Sequence, residues 1–253
     1  MTAPPAQRLS PTPRPRLRLV APPLTEAETF GVLGARLTLT PPDELAPLLV
    51  AAPRQGRHAR VHFVTAETVL AAARDPDLLA LLAQADLLAP DDDALVLHER
   101  MRRKPAYRIG AGETLLAVLD LSRPREYRHF FLGLSPALSS ALVEGLRARF
   151  PGLDIRGSYL PPMQTISWRD VDEVTRMVND AAPHYVWVCL PSPEQDRWLA
   201  CLRPLLHAPL LVGVGALLGP PAAEGPRPGR LGRLRRSLGT GARLLRLLLA
   251  AAR

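Results

Sequence analysis

From about residue 60 the chain alternates short apolar, β-branched runs with stretches of helical periodicity, and few folds accommodate that rhythm. VHFVT (61–65) leads into helical spacing through Ala83, and ADLLAP (85–90) follows. HFFLG (129–133) precedes a helical stretch at 136–149, LDIRG (153–157) one at 170–181, and HYVWVCL (184–190) one at 193–205; PLLVGVG (209–215) closes the series. Strands alternating with helices predict βαβ units, hence an α/β fold with a mostly parallel sheet. Ligands of such sheets lie in the crevice beyond the carboxyl ends of the strands. The candidate site residues are those that follow the apolar runs: Thr65, Asp91, Gly133, Gly157, Pro191 to Gln195 and Gly213 to Gly219.

Charge divides the 253 residues into three parts. Residues 1–28 hold seven prolines, no apolar periodicity and a net +2, the composition of an extended arm outside the fold. Residues 220–253 carry +7, which leaves −1 for the α/β domain at 29–219. A nearly neutral body with a basic appendage points to one local anionic partner and away from nucleic acid gripped over the whole surface. In the appendage, Leu231, Leu234 and Leu238 fall at helical spacing, continued by Ala242, Leu245, Leu249 and Ala252, with Arg233, Arg236 and Arg243 off the stripe. That pattern suits an amphipathic segment lying on an anionic membrane surface, the alternative being a terminal helix packed on the body with a solvated basic face. No aromatic interleaving supports nucleic acid. The N-terminus has no uninterrupted apolar core, and the longest uncharged apolar run, Ala208 to Ala223, is broken by three prolines and three glycines. A cytoplasmic protein without a membrane span is expected. Cys189 and Cys201 are the only cysteines, form no C-x-x-C pair and sit in apolar surroundings, which disfavours a disulfide framework or a cysteine-zinc site.

Three short motifs carry candidate chemistry. Pro90-Asp91-Asp92-Asp93 puts three carboxylates at a strand end. One could act as a general base, Asp91 and Asp93 could hold a divalent cation as a D-x-D pair, or the run could simply turn the chain and cap a helix. Ser192-Pro193-Glu194-Gln195 reads as a capping box, with Ser192 at the N-cap and Glu194, Gln195 and Asp196 lining the crevice. Phe131-Leu132-Gly133 before Ser135-Pro136 is half of a nucleotide-binding turn, while G-x-G-x-x-G, P-loop and G-x-S-x-G patterns are absent from the sequence. His58 and His62 have i, i+4 spacing, but a strand at His62 would keep them from sharing a helical face as metal ligands.

In order along the chain these segments resemble the bacterial WecG/TagA/CpsF glycosyltransferase family. VTAE is similar to its T-x-N strand end, keeping Thr65 with Glu67 for the Asn; PDDDALVL is similar to PDG-x-G-V-V, keeping Pro90 and Asp91. YRIGAGETL resembles R-x-x-G-x-D-L with Gly112 and Leu115 kept, and FFLGLSPALSSALVEGLRARFPGLDIRGSYLPP resembles the family's strand, Gly, helix, strand, Gly run. LPSPEQDRW is similar to G-x-P-K-Q-E-x-W, and LVGVGALLG to G-V-G-a-x-x-D with Gly219 for the Asp. The resemblance implies a Rossmann-like body and an inverting, metal-independent transfer of an N-acetylmannosamine-type or related sugar. It implies a UDP-sugar donor, a lipid-linked saccharide acceptor and no cofactor, on the inner face of the bacterial cell membrane. Asp91 would be the base with Thr65 beside it, and Gly133, Gly157, Gln195, Asp196 and Gly213 would hold the donor. Arg227, Arg230, Arg233 and Arg236 would meet the acceptor diphosphate and the membrane.

Overall fold

The computed structural model describes residues 27–162 and 166–217. The N-terminal arm up to residue 26 and the basic appendage, including Arg227, Arg230, Arg233 and Arg236, lie outside the described residues.

An antiparallel hairpin, β1 (Thr29–Val32) and β2 (Ala35–Thr38), opens the fold and is followed by α1 (Pro42–Ala51). Then come β3 (Ala59–Val64), α2 (Ala66–Ala72), α3 (Pro76–Ala83), β4 (Leu87–Pro90), α4 (Asp93–Met101) and α5 (Ala111–Ser122). The second half runs β5 (Arg128–Leu132), α6 (Pro136–Arg149), β6 (Asp154–Tyr159), α7 (Trp168–Ala181), β7 (Tyr185–Val188), α8 (Glu194–Leu202) and β8 (Leu210–Gly213). The six later strands form one parallel sheet in the order β4-β3-β8-β7-β5-β6. The α/β, Rossmann-like expectation is met.

Five of the six strands are almost wholly buried because both sheet faces are covered, which is why they read as continuous apolar runs. Val61, Phe63, Leu87, Ala89, Phe131, Tyr185, Trp187 and Val212 face α1, α5 and α6. On the other face Val64 and Leu88 pack with the hairpin, α2 and α3, while Phe130, Val186 and Leu211 pack with α7 and α8.

Sequence reading placed one helix from residue 66 to Ala83; two are present. The carboxylate of Asp75 accepts the N–H groups of Asp77 and Leu78 (3.0 and 3.1 Å), and Pro76 takes the first helical position, so the chain restarts there. The hairpin, α1, α4 and α5 were not anticipated.

Strand order fixes where ligands can enter. The connection from β3 runs one way, to β4, and that from β4 runs back across β3, β8 and β7 to β5. Right-handed crossovers send these connections to opposite faces, which opens a crevice between the carboxyl ends of β3 and β4. A second reversal separates β5, which leads outward to β6, from β7, which leads inward to β8.

Candidate active site

At the first reversal Asp91 and Thr65 stand side by side. The Asp91 N–H donates to the Val64 carbonyl (2.8 Å), which continues the ladder between the two strand ends. The three consecutive aspartates diverge. Asp92 accepts the Ala94 N–H (2.9 Å) at the start of α4, and Asp93 is exposed and paired with Arg100 (3.3 Å). Asp91 turns toward the chain that crosses from α4 to α5. It accepts the Arg108 guanidinium (2.9 Å) and the Ala111 N–H (3.3 Å) in the first turn of α5, while the Ile109 N–H donates to the Pro90 carbonyl (2.8 Å). The cap role therefore belongs to Asp92, and Asp91 is free of it.

Burial pushes the Asp91 carboxyl up to about 6, because the loss of hydration outweighs the nearby Arg108 cation and the Ala111 N–H, with Glu113 adding to the rise. That is the range a general base needs near neutral pH. Arg108 is shared, at 3.8 Å, with Glu113. Asp91 and Asp93 each have an arginine of their own, and no group of three or more His, Cys, Asp or Glu among the described residues is placed to hold a metal ion. The two carboxylates of the D-x-D reading are thus engaged by separate arginines.

Thr65 is exposed and caps α2, its hydroxyl accepting the Thr68 N–H (3.3 Å). Thr65 and Asp91 follow the paired residues Val64 and Pro90, so the two residues assigned to catalysis leave adjacent strand ends.

Residues after β7 depart from expectation. Ser192 does not cap α8: Pro193 holds the N-cap position without a side-chain bond, and the Ser192 hydroxyl instead donates to Asp196. Asp196 is fully buried and its other oxygen meets His62 Nδ1 at 2.8 Å, so it ties α8 to the middle of β3. Gln195 is buried too; its side-chain oxygen accepts the Gly215 N–H (2.6 Å), fastening α8 to the loop after β8. These two residues are buried ties that hold α8 against β3 and against the loop after β8. His62, weighed in the sequence only as a metal-ligand candidate with His58, is instead the partner of Asp196, and Arg108, the Arg of YRIGAGETL that stands one residue out of register with the family's R-x-x-G-x-D-L, is the partner of Asp91.

The glycines have separate explanations. Gly133 follows β5 at φ +104°, and a Cβ there would lie 2.9 Å from the Cys189 carbonyl. Its turn lets the β5 end pass β7 at the second reversal. Gly213 leaves room for Gln195, whose amide would sit 2.6 Å from a Cβ. Gly157, expected at a strand end, is inside β6 and packs on the Phe130 ring, which a Cβ would meet at 2.8 Å. It belongs to the sheet. His58 is exposed and takes the Arg203 guanidinium, far from the His62 pair.

Residues 30–228 match the WecG/TagA/CpsF family of glycosyl transferases. The chain belongs to that family. Among relatives, an N-acetylglucosaminyldiphosphoundecaprenol N-acetyl-beta-D-mannosaminyltransferase of Bacillus spizizenii is 26% identical over 165 residues, 64% of this chain and 61% of the relative. The protein of the same name from Bacillus subtilis is 23% identical over 158 residues (62% and 60%), and that from Staphylococcus aureus 23% over 141 (55% and 54%). The chain thus spans at most about three fifths of the curated relatives it matches. Thr65, Asp91, Arg108, Gly133, Gln195, Gly213 and Arg227 fall within the WecG/TagA/CpsF match; Arg230, Arg233 and Arg236 lie beyond it.

Proposed function

We propose that this chain moves an N-acetylmannosamine-type sugar from a UDP donor to a saccharide carried on a polyprenyl diphosphate, with inversion at the transferred carbon. The observation that carries the reading is Asp91: a carboxylate at a topological reversal, held near pH 6, with an arginine and a helix N-terminus on its oxygens. The acceptor hydroxyl attacks the anomeric carbon, its proton passes to Asp91, and the bond to UDP breaks as the new glycosidic bond forms. The crevice from Thr65 across β8 and β7 to Gly133 spans about 14 Å at the usual strand spacing and takes the donor. Support for an acceptor role of the basic appendage comes from its charge, +7 over residues 220–253, which includes Arg227, Arg230, Arg233 and Arg236. Guanidinium groups pair bidentately with phosphate oxygens, the chemistry a lipid diphosphate offers. Work at the inner face of the cell membrane follows from such an acceptor.

Thermal unfolding with UDP and UDP-sugars, with and without divalent metal, tests this. At about 100 times its dissociation constant a ligand adds roughly 2.7 kcal/mol. A metal-independent rise with uridine nucleotides, together with sugar transfer to a lipid diphosphate acceptor, is expected. No rise with any uridine nucleotide removes the donor reading; a rise without transfer marks a binding protein that has lost catalysis.

A further inference from the structure

The rim next to Asp91 carries a feature that the transfer chemistry leaves unused. Leu97 and Met101, one turn apart on α4, are 42% and 64% exposed, and Tyr107 is 38% exposed. Between them Arg102, Arg103 and Lys104 are all exposed. From Arg100 to Arg108 there are five cations; Arg100, Lys104 and Arg108 are paired with Asp93, Glu99 and Asp91, and neither Arg102 nor Arg103 has an ion pair among the described residues. The backbone beneath is fixed: Ala106 is buried, its carbonyl accepts Arg100 Nε (2.9 Å), and Ile109 is bonded to Pro90. The segment therefore presents apolar and cationic side chains outward from a rigid base.

We propose that Leu97, Met101, Tyr107, Arg102, Arg103 and Lys104 form a docking surface for an anionic lipid bilayer, separate from the basic tail. Charge decides the occupant. The tail at +7 and a second copy of this patch are both cationic and would be repelled. A bilayer surface offers phosphate for the cations and an apolar layer for Leu97, Met101 and Tyr107, where nucleic acid offers only the first. The same segment supplies Arg108 to Asp91, so docking would set the base at the interface. That last step rests on the lipid-linked acceptor proposed above; the surface itself does not.

Flotation of the full-length protein with vesicles containing phosphatidylglycerol, compared with pure phosphatidylcholine, tests the surface. Arg102→Gln with Arg103→Gln should lower partition into the anionic vesicles by roughly 30-fold at low salt. Leu97→Ser with Met101→Ser should also weaken it, and both variants should keep wild-type melting. Transfer to a water-soluble, short-chain acceptor should be unchanged in the arginine variant. Unaltered partition in both variants overturns the proposal, as does duplex DNA binding tighter than vesicle binding and lost in the same variants. The vesicle readout is independent of transfer, so a failure of the enzymatic reading leaves this test intact.

Discussion

Asp91 is held at a cost to the fold. A carboxyl kept at about 6 instead of near 4 corresponds to about 3 kcal/mol against the charged form. Because its folded value is raised, its contribution is full below about pH 4 and is lost as pH rises through 6. His129 acts in the opposite sense. Burial beside His184 lowers it to about 3, and its Nε2 meets Ser122 while its Nδ1 accepts from Trp187, so it stays neutral in the core. Its contribution is full above about pH 6.5 and is lost on acidification, at about 1.4 kcal/mol per pH unit. Between about pH 4 and 6 the two slopes oppose each other. Asp91→Asn should therefore lower turnover by about 10² to 10⁴-fold with donor binding retained, and raise stability by roughly 1 to 3 kcal/mol at pH 7.5. Urea unfolding from pH 7 to 4.5 should expose the His129 slope in that variant only. In the wild type, kcat/KM should fall below about pH 6 with unit slope. Asp91 was legible from its place after an apolar run; Arg108 stands in the YRIGAGETL segment, but its contact with Asp91 was not legible, because it is made through a loop whose path no periodicity announces.

Elements differ in how clearly the sequence declared them. Five of the parallel strands were readable because burial on both faces makes them continuous apolar runs bounded by turns, and β6, only partly buried, was readable from its place between two helical stretches. The hairpin escaped because its inward residues, Phe30, Val32, Ala35 and Leu37, sit among exposed ones in strands of four. Ser192 misled for a different reason: its local signal for a cap lost to a buried Asp196 carboxylate on the next turn. The loops after β5 and β8 give a paired test of what holds the crevice rim. Gly133→Ala combines a positive φ with a clash against the Cys189 backbone and should cost about 3 kcal/mol; Gly215→Ala, at φ +69° with open space around it, should cost about 1. Urea midpoints compare them. Equal costs would mean that the β5 turn relaxes freely and does not set the second reversal.

At the scale of the whole molecule the division of charge makes a testable difference between body and tail. The body is nearly neutral and the last 34 residues carry +7, so membrane attachment should be electrostatic and screened by salt. A chain ending at Gly225 should lose most pelleting with anionic vesicles while remaining monodisperse and folded; full-length protein should pellet at low salt, less at high salt and poorly with neutral vesicles. Undiminished pelleting of the shorter chain would assign attachment to the body alone. Aggregation of the shorter chain would show that the leucine stripe packs on the domain. Strand order has one more consequence, for biosynthesis. Among the described residues β8 is the last strand in chain order, and it lies inside the sheet, bonded to β3 on one side and β7 on the other. A nascent chain that has emerged only as far as α8 holds two half-sheets with nothing between them, and each shows an apolar strand edge to its surroundings or to a chaperone. Closure, and with it the assembly of the crevice, waits for a four-residue strand translated some 150 residues after the one it joins.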